Sequence, residues 1–112
     1  MTTFDDREHA FEAHFAFEEE LEFKVRARRD RLVGLWAGGL MGLKDAELEA
    51  YVASLVHADL STPGTEEVYQ KVVADFGRHS VAIRPQEVRA RIAELTVEAR
   101  DHMGVDAGAD QL

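Results

Sequence analysis

Residues 2–36 read TTFDDREHAFEAHFAFEEELEFKVRARRDRLVGLW, and the spacing of the apolar residues in this stretch decides the fold. On a helix of 3.6 residues per turn, Phe4, Phe11 and Phe15 fall in one narrow row, spaced by seven and then four. The row continues into Glu18 and Glu22. A second apolar set, Leu21, Val25, Leu32, Leu35 and Trp36, centres about 80° away around the same helix. One flat surface cannot cover both stripes. The second therefore reads as a core face of the chain's own fold, and the first as a face presented to a partner. Burying three Phe side chains gives about 5 to 9 kcal/mol, whereas ordering the arm's backbone costs about 15 to 30 kcal/mol. Residues 1–17 are accordingly expected to be a mobile arm that orders on another surface. The alternative is that the arm folds back on its own bundle, since aromatic residues at helical spacing usually belong to a core.

Outward from this stretch, the chain has room for one domain of 112 residues with apolar content sufficient for a modest core. It has no cysteine, so neither disulfides nor thiolate metal sites are available, which suits a reducing compartment. A net charge of −9 argues against nucleic acid and anionic membrane faces, whose phosphates would repel the surface. A protein partner is the better match. The charged first 15 residues lack the apolar segment of a secretion signal, so the chain is expected to be cytoplasmic. The longest uncharged run, Leu32 to Leu43, has 12 residues and is too short to span about 30 Å of hydrocarbon. Within it Gly34, Gly38 and Gly42 recur every four positions. Two readings are open: close approach of a second helix, or Gly38 with Gly39 simply marking where the helix weakens.

The rest of the chain reads as helices. The first is expected to start in the acidic Glu18 to Glu22 block, where negative charge suits the N-terminal dipole, and to run to about Leu40. Asp45 reads as the N-cap of a second helix bearing Leu48, Tyr51, Val52 and Leu55, ending near Leu60. A third, started at Thr62–Pro63 or Thr65, carries Val68, Val72 and Phe76, with Gly77 as its stop. Pro85 opens a fourth with Val88, Ile92, Leu95, Ala99 and Met103, and Gly104 ends it. The expectation is an all-α four-helix bundle over 18–103, with a mobile N-terminal arm and a frayed C-terminal tail over 104–112.

Catalytic chemistry finds no foothold. No Gly-rich phosphate loop precedes a helix, no serine has a nucleophile-elbow context, and Glu18, Glu19, Glu20 and Glu22 form a solvated run without reason for a raised pKa. His9 and His14 lie about 140° apart on a helix, so they cannot share a metal as i, i+4 ligands do, although both would gain charge as pH falls through about 6.5. No cofactor and no metal are expected. Arg26, Arg28, Arg29 and Arg31 form a basic block that reads either as a solvated face or as a phosphate-binding patch. The second reading makes the protein a small helical module binding a nucleotide or other metabolite.

The stretch from Thr2 to Trp36 closely resembles the opening of the zeta subunit, the small inhibitor protein of alphaproteobacterial F-type ATP synthases, and AYVASLV, HADLSTPGTEEV and the Pro85 helix continue the likeness. It departs from the family's pattern at His14, Phe17, Glu22, Gly38 and Gly39. The resemblance implies a non-enzymatic inhibitor with a four-helix bundle, peripherally associated with the membrane-bound synthase and not itself inserted. Its N-terminal segment would become helical on entering the catalytic head between alpha and beta subunits, near gamma, and stop ATP hydrolysis. Phe4, Phe11 and Phe15 would then be apolar anchors, with Asp5, Asp6, Arg7, Glu8 and Glu12 making polar contacts.

Overall fold

The computed structural model describes the backbone of residues 3–61 and 65–111 and the side chains of residues 18–61 and 66–103. Four helices account for the fold: α1 (Thr3–Leu40), α2 (Asp45–Ser61), α3 (Thr65–Arg78) and α4 (Pro85–Gln111). Each packs on the next in chain order, and α4 closes back on α1, giving an all-α bundle. Partner pairs give the directions. Gly34 faces Val52 and Gly38 faces Leu48, so α2 runs antiparallel to α1. Trp36 lies near Arg91 and Glu22 binds Arg100, so α4 does the same on the other side.

The helical backbone of α1 begins well upstream of the Glu18 to Glu22 block. No proline occurs in it and no glycine before Gly34. Ala10, Ala13, Ala16 and the glutamates favour helix, so nothing local stops it. Likewise α4 continues through Gly104, because one helical glycine costs only about 1 kcal/mol. The arm and tail side chains, residues 1–17 and 104–112, lie outside the described residues.

The core is built by Val33 and Ala37 of α1, Leu55 of α2, Val68, Val72 and Phe76 of α3, and Val88, Ile92 and Leu95 of α4. Trp36 meets Phe76 edge to face, with ring centroids 5.6 Å apart. The apolar rows expected on α2, α3 and α4 face the interior, with Leu48, Tyr51 and Met103 half-buried and the others buried. On α1 the row is different: Val25, Val33 and Ala37 are fully buried, while Leu21, Leu32, Leu35 and Trp36 flank them half-buried. The deepest row is Val25, Arg29, Val33, Ala37, and its second position is a charge.

Helix ends are set by backbone chemistry. The Leu43 amide donates to the Gly38 carbonyl and the Gly42 amide to the Gly39 carbonyl, with Gly42 at φ +80°, so α1 ends in a Schellman motif whose left-handed residue is Gly42. Gly34 and Gly38 serve the helix contact instead. A Cβ at Gly34 would sit 3.0 Å from Val52 Cα, and one at Gly38 2.5 Å from Leu48 Cδ1, so the close-approach reading is the correct one for these two positions. The Lys44 carbonyl, not Asp45, takes the first bonds of α2, from the amides of Glu47 and Leu48. Pro85 fills the first turn of α4, whose opening acceptor is the Arg84 carbonyl.

A second Schellman motif ends α3, with Val81 donating to Phe76 and Ser80 to Gly77. Here the left-handed position is Ser80, at φ +56°, and not Gly77, which lies inside the helix. Ser80→Gly is therefore expected to stabilise the bundle by roughly 0.5 to 1 kcal/mol, read as a raised urea midpoint. The glycine contacts give an opposed pair. Gly34→Ala is expected to cost about 1 to 3 kcal/mol. Gly39→Ala, whose Cβ meets nothing within 4 Å, should gain about 0.5 to 1 kcal/mol; equal effects at the two sites would refute the close-packing role of Gly34.

Candidate functional site

The candidate site is the N-terminal half of α1, and the described geometry is that of its root, where the arm enters the bundle. Leu21 is half-buried and Val25 fully buried, whereas Phe23 is 52% exposed. From α4, Arg100 grips Glu22 through two hydrogen bonds of 2.5 and 3.2 Å. This pairing holds the Glu22 carboxyl below its ordinary range and raises the guanidinium. Six residues further on, Arg28 Nε donates to His102 Nδ1 at 3.0 Å. The seven-residue stretch from Glu22 to Arg28 is thus tied to the far end of α4.

The other side of the root is buried and ionic. Positions 26, 29, 30 and 33 share one helix face by i, i+3, i+4 spacing, so Arg26, Arg29 and Asp30 are carried toward α2 with Val33. Arg29 is 3% exposed, and Asp30 and Asp59 are each 1% exposed. Arg29 donates to Asp30 Oδ1 from Nε at 3.0 Å and from Nη2 at 2.8 Å. The same Nη2 lies 3.3 Å from Asp59 Oδ1, which also accepts from Arg26 at 2.9 Å. Burial pushes Asp30 up to about 7, helped by the neighbouring Asp59 carboxylate and opposed by Arg29. Burial raises Asp59 as well, but Asp30, Arg26 and Arg29 outweigh it and hold Asp59 below the usual range. The stabilisation carried by Asp59 is therefore present above its ordinary value of 3.8 and lost as pH falls through the lowered one.

A second buried acid, Asp75 of α3, lies beside Tyr51 of α2. Burial would raise its pKa, but Lys71, Tyr51 and Arg78 bring it down. Lys71 Nζ lies 3.1 Å from Asp75 Oδ2, and Arg78 pairs with Oδ1. Burial and the Asp75 charge push the Tyr51 phenol well up.

The four arginines of the basic block do not converge on one site, although Arg26 and Arg29 share Asp59. Arg26 goes to Asp59, Arg28 to His102, Arg29 to Asp30 and Asp59, and Arg31 to Glu49 at 3.4 Å. Arg31 lines a shallow groove with Glu49, Val52, Ala53, Val56, His57 and Leu60. A separate groove, lined by Tyr69, Arg89, Ile92, Ala93 and Thr96, has its cation already stacked on Tyr69 and paired with Glu66. The solvated-face reading of the block fails at Arg29, which is interior, because a charge among apolar positions at i±4 sits on the core row. The same spacing marks Asp59, four residues after Leu55 and seven after Val52, which the sequence reading overlooks. Among the described residues no three His, Cys, Asp or Glu side chains form a metal-binding group. Phe4, Asp5, Asp6, Arg7, Glu8, Phe11, Glu12 and Phe15 lie on α1 upstream of this root, with side chains outside the described residues.

The family model described as ATPase inhibitor subunit zeta matches residues 1–102, which include the arm and all but the last residue of the bundle over 18–103. The chain belongs to that family. No curated protein matches it.

Two substitutions separate the interior of the basic block from its surface. Arg29→Ala leaves two buried carboxylates without their shared cation and is expected to cost about 3 to 5 kcal/mol. Arg31→Ala, at an exposed pair, should cost under about 1 kcal/mol. Urea unfolding of both variants reads the difference; similar losses would mean that Arg29 is not desolvated.

Proposed function

We propose that this protein inhibits ATP hydrolysis by an F-type ATP synthase, with residues 1–17 as the effector and the bundle over 18–103 as its holder. The observation that carries the reading is the family match over residues 1–102, since the family is named for an ATPase inhibitor subunit and the match includes the arm. The fold is consistent with it. Among the described residues the core begins at Val25, downstream of the segment assigned as effector.

In this reading the helical form of residues 3–17 enters the catalytic head between an alpha and a beta subunit, near gamma. Phe4, Phe11 and Phe15 anchor it there, and Asp5, Asp6, Arg7, Glu8 and Glu12 meet polar groups of the cleft. The energy that orders the arm comes from the partner's surface, because three phenylalanines alone fall short of the ordering cost. A helix wedged at a closing interface stops that interface from reopening, and hydrolytic rotation stalls. Rotation in the synthetic direction ejects it. Such an inhibitor needs no chemistry of its own and no cofactor. No described helix is long and apolar enough to cross a membrane, and the chain works in the cytoplasm at the membrane-held enzyme.

The test is ATP hydrolysis by the cognate catalytic head, freed of its own inhibitor, with the full chain or with a chain lacking residues 1–17. The full chain is expected to inhibit and the truncated one to lose inhibition while retaining a cooperative helical melt. Inhibition by both, or by neither, would overturn the assignment of the effector to the arm.

A further inference from the structure

Asp30 of α1 and Asp59 of α2 face each other across the helix seam with an uneven supply of cations. Asp59 Oδ1 has two guanidinium neighbours, Arg26 at 2.9 Å and Arg29 at 3.3 Å. Asp30 is served by Arg29 alone, through Oδ1, and its Oδ2 is buried with no hydrogen-bonding partner. A carboxylate oxygen left unpaired in a dry site is expensive, and so are two like charges in contact there. One proton relieves both. Placed on Asp30, it neutralises that group and turns it into a donor beside the Asp59 carboxylate.

We propose that Asp30 and Asp59 form a proton-operated clasp between α1 and α2, which holds the arm-bearing half of α1 to the bundle when one proton sits between the two carboxyls and loosens that seam when the proton leaves. The proton is exchanged with water and nothing else is consumed. The groups that act on the pair are Arg26 and Arg29 of α1 and the two carboxyls themselves; neither ionisation is set by a group of α3 or α4. The nearest charges brought by α4 to this part of α1 are already engaged, Arg100 with Glu22 and His102 with Arg28. Burial raises Asp30 to about 7, which puts the transition near neutrality.

The sign follows from linkage. A carboxyl whose folded pKa is raised above its ordinary value of 3.8 makes the folded state bind more protons than the unfolded one between those two values. Stability from this group is thus full at the acid end, declines from about pH 4 to about pH 7, and levels off above. Its consequence for inhibition rests on the arm reading given above, but the clasp itself is a property of the isolated chain.

The experiment follows the side-chain carboxyl carbons of the full-length protein by 13C NMR from pH 4 to 9. Asp30 is expected to titrate with a midpoint near 7, distinct from the imidazoles of His9 and His14. A midpoint below about 5 would overturn the clasp, and this readout needs no variant. Native-state hydrogen exchange supplies the mechanical half. After correction for intrinsic exchange, the opening constant of the α1 amides around Arg26 to Asp30 should rise about tenfold between pH 6 and 8. In Asp30→Asn, which keeps a neutral donor in place, it should stay flat. A wild-type profile as flat as that of the variant would also sink the proposal. A chain that shows the titration and the opening yet fails to inhibit the ATPase would refute the proposed function and leave the clasp standing.

Discussion

A desolvated guanidinium cannot be left without acceptors, and among the described residues Arg29 is paired with two carboxylates, Asp30 on its own helix and Asp59 on α2. That requirement fixes how α1 lies on α2. At the other end of the seam the constraint is steric, for Gly34 and Gly38 let Val52 and Leu48 approach where any side chain would collide. The two constraints agree only in one register. A slip of one helical turn would bring Asp30 against Val52 in place of Gly34 and strand Arg29 among apolar side chains. That arrangement loses contact and leaves a buried charge unpaired.

Because α1 continues upstream of the bundle as far as Thr3, a register fixed between residues 22 and 38 also fixes where residues 3–17 join the bundle. The root is gripped from both flanks, by Asp59 of α2 on Arg26 and by Arg100 and His102 of α4 on Glu22 and Arg28. The exposed pairs among these contribute little to stability. They bind the root of the arm laterally, where Val25 is the one fully buried residue described between Glu18 and Arg28.

Three helices were legible because their buried rows are unbroken or nearly so: Val68, Val72 and Phe76, or Val88, Ile92, Leu95 and Ala99, announce a face at any reading. The face of α1 was misread because Arg29 and Asp30 interrupt the row Val25, Val33, Ala37, and a run of arginines looks like solvated surface. The signal for Asp59 was present, since an acid in phase with Val52 and Leu55 opposite a basic block invites pairing, but spacing alone does not say which arginine it meets. The end of α1 falls at Leu40 as expected, but a C-terminal cap depends on which residue takes positive φ, and that is Gly42 after α1 and Ser80, not Gly77, after α3. The arm's partner had no signature in periodicity at all. The spacing of Phe4, Phe11 and Phe15 cannot name what would cover such a stripe, and the proposal of a partner comes from likeness to a family.

A buried ionic cluster is a poor way to make a bundle stable, since well-packed apolar residues of similar volume commonly do as well or better once the desolvation of each charge is counted. What such a cluster supplies is exclusivity of arrangement. An apolar seam tolerates small slips and rotations because one buried methyl serves much like another, whereas a carboxylate and a guanidinium that miss each other leave both charges uncompensated. In the proposed function the bundle holds the segment that acts, so definition of α1's register where that segment joins the bundle matters more than additional stability. The cluster stands at that junction.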